Sequence, residues 1–164
     1  MVSPTEIINA LAGTYTLLNN TVLNLTSNTL LPSSWGDSPT GHLTYTRYGY
    51  MSAVMAATVP AWRPTDVRWP PKDSDPPHSW ELIGRHSMSY AGPFALNASV
   101  ANTATAGQLL HGPMEVASVP DMVNNTQARS YVVVERGEDE VYLNVWLLSQ
   151  ELRSEIWWRR IAKG

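Results

Sequence analysis

Gly41-His42-Leu43-Thr44-Tyr45-Thr46-Arg47-Tyr48-Gly49-Tyr50-Met51-Ser52 is the stretch that decides the fold class. Leu43 and Tyr45 alternate with Thr44 and Thr46, the period-2 pattern of a strand with one buried face, in residue types that suit a pleated surface. Tyr48-Gly49 turns the chain, and Tyr50 to Ala57 is apolar enough to return beside the first run. The expectation is an antiparallel hairpin with a tight turn.

Upstream, Ile7, Ile8 and Leu11 share one face of a short helix over Pro4 to Ala12. Ser3 stands as its N-cap, Pro4 in the first turn and Gly13 as the stop. Thr14 to Thr26 then reads as a long strand interrupted at Asn19-Asn20. Ser27 to Thr40, with Pro32, Pro39 and Gly36 around Trp35, reads as a loop.

Downstream, Pro60 to Pro77 holds six prolines, so neither a ladder nor a helix can run through it. A second amphipathic helix is expected from Ser79, as N-cap, to about Ser87. Met88 to Asn97 follows as a strand, with Gly92-Pro93 marking a bulge or an edge. Gln108 to Val116, Gln127 to Arg136, a turn at Gly137-Glu138-Asp139, Val141 to Leu147 and Ser154 to Ile161 complete the pattern. About eight strands in a meander, with a short N-terminal helix and one mid-chain helix, predict an all-β up-and-down barrel, since closure removes exposed edges.

The 164 residues suit one domain spanning 1–164, with one core. Charged residues are 15% of the chain and the net charge is -3, which argues against a nucleic-acid partner. Neither a basic leader with a long apolar run nor a stretch of about 18 apolar residues occurs, so a cytoplasmic protein without a membrane partner is expected. Cysteine is absent, which removes disulfides, thiolate metal sites and a cysteine nucleophile. The sequons at Asn19, Asn24, Asn97 and Asn124 are read as chance in a chain rich in Asn, Ser and Thr. Seven Trp and seven Tyr against one Phe make the aromatics mostly amphipathic.

Leu11-Ala12-Gly13-Thr14-Tyr15-Thr16-Leu17, the Gly41 to Ser52 hairpin and Trp158-Arg159-Arg160-Ile161 together resemble the lipocalin-like domain family, small barrels of bacteria and of fungal biosynthetic gene clusters. Tyr90-Ala91-Gly92-Pro93-Phe94, Glu115 to Pro120 and Gln127-Ala128-Arg129 match later family elements in order. The family commonly carries a His just before that Glu; here Gly112-Pro113 stand there and the nearest is His111. The resemblance implies a calyx-like barrel with an internal pocket. Among fungal relatives it implies secondary-metabolite biosynthesis, in the class of cofactor-independent cyclases or isomerases. Tyr15 with Arg160 resembles the lipocalin device in which a cation stacks on an aromatic ring at the closed end.

Phosphate loops, zinc-protease and serine-hydrolase signatures are absent, and the four His show no metal-ligand spacing. No metal and no cofactor are expected. The candidate catalytic residues are Glu115, Arg129 and His111. On an unbulged strand His111 and Glu115 project the same way, roughly 14 Å apart. If that face is inward, Glu115 becomes a raised-pKa acid or base; if outward, a solvated strand residue. Arg129 shares a face with Gln127, Tyr131 and Val133, and suits an enolate or carboxylate, or a structural ion pair. Tyr45, Tyr50 and Tyr90, with Met51 beside them, are the candidate substrate contacts, because a phenol offers an apolar body and one hydrogen-bonding tip. Trp62 and Trp80, with Trp69, are candidate lid residues over the pocket.

The leading expectation is a cyclase or isomerase, pericyclase-like in requiring no cofactor, that folds a hydrophobic intermediate inside the barrel. The alternative is a carrier for a hydrophobic small molecule, with the same cavity and no chemistry. A third reading uses Trp146 or Trp157 on an exposed strand as an interface, for a homodimer or a larger enzyme.

Overall fold

The computed structural model describes residues 3–137 and 140–164. Helix α1 (Pro4–Leu11) is followed by β1 (Gly13–Asn24), β2 (Thr29–Leu31), β3 (Thr40–Tyr45) and β4 (Tyr50–Ala56). After a long connection come α2 (Pro77–Arg85), β5 (Ser87–Leu96), β6 (Ala106–His111), β7 (Val116–Ala117), β8 (Gln127–Arg136), β9 (Glu140–Ser149) and β10 (Leu152–Lys163). Single 3-10 turns lie at Pro60–Trp62 and Pro120–Met122.

Strands β10-β9-β8-β6-β5-β4-β3-β1 are hydrogen-bonded in that order, and β1 pairs back onto β10, closing an antiparallel eight-stranded barrel. The two remaining strands are accessories: β2 extends β1, and β7 pairs with β5. Among the described residues, no helix is long and apolar enough to cross a membrane.

The hairpin that opens the reading is β3–β4, with Gly49 at φ +80 in its turn and Tyr45 opposite Met51. Its register puts Leu43, Tyr45, Met51, Ala53 and Met55 in the core and leaves Ser52 and Val54 exposed. A slip of one residue would invert that set, so the apolar pattern itself fixes the pairing. The interruption at Asn19-Asn20 is a register shift between Leu17 and Asn19, after which β1 continues along β10.

One end of the barrel is stoppered by α1. Ser3 and Glu6 form a reciprocal capping box that satisfies two orphan N–H groups of its first turn. Ile7 and Leu11 face inward at 2% and 0% exposure, each burial contributing about 1.5–3 kcal/mol as an upper bound. The Tyr15 hydroxyl donates to the Leu11 carbonyl at 2.7 Å and accepts from Arg160 Nε and Nη2 at 3.1 and 2.7 Å. The guanidinium also lies over the Tyr15 ring, 5.2 Å from its centroid. The expected closing device is present, and it ties helix, first strand and last strand together.

Three local expectations differ. The 27–40 segment is not all loop, because Thr29–Leu31 pairs with Val22–Asn24. Helix α2 starts at Pro77, and the Ser79 hydroxyl donates to Asp66 at 3.0 Å instead of capping. The strand expected to run from Gln108 to Val116 stops at His111: Gly112 takes φ +120 and Pro113 has no N–H to continue the ladder. Gly137 sits at φ +77 in the expected turn, whose Glu138 and Asp139 lie outside the described residues, as do Met1 and Val2.

Candidate functional site

Inward alternation around the ring brings side chains from seven strands onto one cavity of about 70 Å³. Roughly 10–15 Å³ of such space holds one water, so it accommodates about five waters or an organic group of similar bulk. Leu43, Met55, Val145, His111 and Trp158 are its buried lining, with Tyr90 and Arg129 beside them. Met88, Leu147, Ser154, Ile156 and Trp35 are half-buried and form its rim.

Most of this surface is apolar, with polar side-chain groups on Tyr90, His111, Arg129, Ser154 and the two indoles. Nδ1 of His111, Nη1 of Arg129 and Nε1 of Trp158 are buried and have no hydrogen-bond partner in the protein. His111 and Trp158 are each only 2% exposed. Buried polar atoms are normally paired, and an unpaired one costs about 1–3 kcal/mol. All three belong to residues of the cavity lining.

His111 is fixed from behind. Its Nε2 is 2.7 Å from the Tyr45 hydroxyl, and Tyr45 packs on Phe94 at 4.7 Å and edge-on to Tyr15 at 6.3 Å. A line of rings therefore links the Arg160-Tyr15 closure to the cavity wall. Burial, with the Arg129 charge adding to it, pushes the His111 pKa down to about 3, so the imidazole is neutral at physiological pH. The Tyr45 hydroxyl and His111 Nε2 share that bond, and the tautomer of the neutral ring decides which of them donates and whether Nδ1 is a donor or an acceptor.

Arg129 lies on the inner face of β8 with the buried Tyr131 and Val133, as the alternation predicts. Its Nη2 donates to the Gln127 side-chain oxygen. Among the described residues, no carboxylate forms an ion pair with it. Burial raises the Tyr90 pKa, and the Arg129 guanidinium nearby holds back part of that rise. The cation thus stands among neutral groups.

The other candidates are placed as follows. Glu115 is exposed and its backbone N–H bonds to Ala91, so it does not share the inner face of Leu109 and His111. The reason is the break at Gly112-Pro113, which takes the chain off the β6 plane before Glu115. Tyr50 is 52% exposed, on the outer face of β4. Met51 is a core residue at 3% exposure, but only Met55 of that face lines the cavity. Trp62 stacks on His86 at 4.0 Å, and the Trp80 indole donates to Asp75 at 3.0 Å, binding the Pro-rich segment to α2. Trp69 is 86% exposed. The indole that does reach the rim is Trp35, whose loop is held by His86 Nδ1 donating to the Ser34 carbonyl at 2.6 Å.

Trp35 and Trp158 were missed as site residues by sequence reasoning. For Trp158 a signal existed: Ser154, Ile156 and Trp158 alternate on one face of the closing strand. For Trp35 none did, because its position depends on tertiary contacts of a loop.

The sequence profile of the lipocalin-like domain family matches residues 12–161, nearly all of the chain. The chain belongs to the lipocalin-like domain family. That assignment agrees with the closed barrel and its plugged end, and a lipocalin-like barrel suggests binding of a small hydrophobic ligand. No curated protein and no solved structure matches the chain.

Proposed function

We propose that this lipocalin-like barrel holds a small apolar molecule by one oxygen-bearing end and acts on it as a cofactor-independent isomerase or cyclase. The observation that carries the reading is the grouping of three unpartnered buried polar atoms, on His111, Arg129 and Trp158, in an otherwise apolar cavity. Those groups grip one end of the ligand while Leu43, Met55, Val145 and Ile156 confine the rest in a folded conformer. Confinement of that kind supplies rate through proximity and orientation. An uncompensated cation in a low-dielectric wall adds stabilisation wherever negative charge develops on the held oxygen.

A second reading, a carrier without chemistry, is favoured by one specific observation. Glu115 lies outside the cavity and His111 is held neutral to about pH 3, so neither serves as an acid or base cycling near neutral pH.

The experiment incubates the purified protein with small apolar polyenes carrying a terminal carbonyl or carboxyl group, and compares product ratios and rates with and without protein. A rate increase or a changed stereochemical outcome, lost in Arg129→Gln, is expected for the enzyme. Saturable binding with unchanged products leaves the carrier, and absence of binding removes both readings.

A further inference from the structure

Resting on the reading of the barrel as a ligand-binding calyx, we propose that the ligand is a small apolar carboxylate whose two oxygens take Arg129, Trp158 and His111 as partners. The inference comes from matching donors to acceptors. Arg129 Nη1 and Trp158 Nε1 can only donate, and both are buried without a partner. His111 Nδ1, also unpartnered, donates in the tautomer in which Nε2 accepts from the Tyr45 hydroxyl. The Ser154 hydroxyl at the rim can act either way. Two donor-only groups on residues of the lining, one of them a cation, call for acceptors from an occupant.

Number and charge then narrow the class. An alcohol finds acceptors in the Tyr90 and Ser154 hydroxyls of the lining but brings no charge to meet the guanidinium. A ketone likewise brings one neutral oxygen and leaves the guanidinium charge uncompensated. A carboxylate brings two oxygens with about four lone-pair sites and the missing negative charge, in the planar geometry that suits a guanidinium. Gln127 and Tyr90, the groups against Arg129, are both neutral, and among the described residues no acid pairs with it. An unpaired cation beside an apolar wall is costly, and an anionic ligand would remove that cost. The cavity volume limits the apolar tail to a few carbons.

The test titrates pentanoate, 2-pentanone and 1-pentanol into the full-length protein at pH 7, read by calorimetry and by the Trp158 indole N–H resonance. Pentanoate should bind at least ten-fold tighter than either neutral probe. Arg129→Gln should remove that preference, bringing pentanoate affinity to within about two-fold of the variant's own affinity for 1-pentanol. Should the variant fail to fold, the wild type still decides: pentanoate affinity must fall as the carboxylate is protonated below about pH 5, with 1-pentanol unaffected. Equal affinity for the three probes overturns the carboxylate assignment and leaves the calyx standing. Failure of all three to shift the Trp158 signal overturns the calyx reading itself.

Discussion

Acidification should destabilise this protein chiefly through His111. In the unfolded chain an imidazole titrates near 6.5; in the barrel, desolvation with Arg129 nearby holds it to about 3. Above pH 6.5 both states are neutral and the residue contributes nothing to the pH dependence. Between 6.5 and 3 the unfolded state binds a proton that the folded state refuses, so stability falls as pH falls through that window. Linkage then gives a loss of about 2 kcal/mol at pH 5 and about 3 kcal/mol at pH 4, with a limiting slope of about 1.4 kcal/mol per pH unit. Against a typical total of 5–15 kcal/mol, that is a large fraction.

The assay is urea unfolding at half-unit steps from pH 7 to pH 4, on the wild type and on His111→Gln. Subtracting the two curves cancels Glu6 and Glu81, whose lowered pKa values also make stability fall in acid but which remain in both proteins. The wild-type curve should lose ground on the variant by about 2 kcal/mol between pH 7 and pH 5. Parallel curves, agreeing to within about 0.5 kcal/mol in their spacing, would falsify the claim that His111 is buried neutral against the cavity.

Three further outcomes follow from the geometry. Tyr15→Phe removes the hydroxyl shared by Leu11 and Arg160, and should cost about 1–3 kcal/mol with faster amide exchange along Pro4–Leu11; unchanged exchange there means the plug is not held through that oxygen. Gly92→Ala puts a methyl group 2.9 Å from the Pro113 carbonyl oxygen and 3.1 Å from the Glu115 nitrogen, so denaturation should show a loss of about 1–3 kcal/mol; a neutral effect would mean that segment moves freely. Glu115→Gln should leave both stability, within about 0.5 kcal/mol, and probe binding unchanged, and a ten-fold loss of binding would return that carboxylate to the site.

The strands were legible because a half-buried barrel wall repeats every two residues. Gln127–Arg136 has the bounds its alternation predicts, and Leu43, Tyr45, Met51, Ala53 and Met55 fall inward as their hairpin requires. Periodicity leaves open which face is inward wherever both are mixed, and it runs straight past a backbone break. The β6 strand shows both limits. His111 was placed correctly beside Leu109, but Glu115 was carried onto the same face only because an unbroken strand was assumed through Gly112 at φ +120. Trp35 was illegible for another reason: its place at the rim is set by His86, 51 residues further along the chain, holding the Ser34 carbonyl.

The phenols show why hydrogen-bonding capacity alone misassigns a site. Read from sequence, Tyr45, Tyr50 and Tyr90 were ligand contacts because each carries a polar tip on an apolar body. In the barrel, Tyr45 bonds to His111 at 2.7 Å and Tyr50 faces out, while Tyr90 lines the cavity. A tip already engaged within the protein has little left to offer a ligand. The atoms that remain are those whose neighbours cannot satisfy them: an indole N–H on the closing strand, a guanidinium nitrogen on β8 and the far nitrogen of an imidazole fixed by a tyrosine. Each of those residues is ordinary by composition, and only the closure of β10 onto β1 brings the three walls around one space. The polar end of the cavity is therefore a property of the closed ring, defined by which groups the fold leaves unpaired.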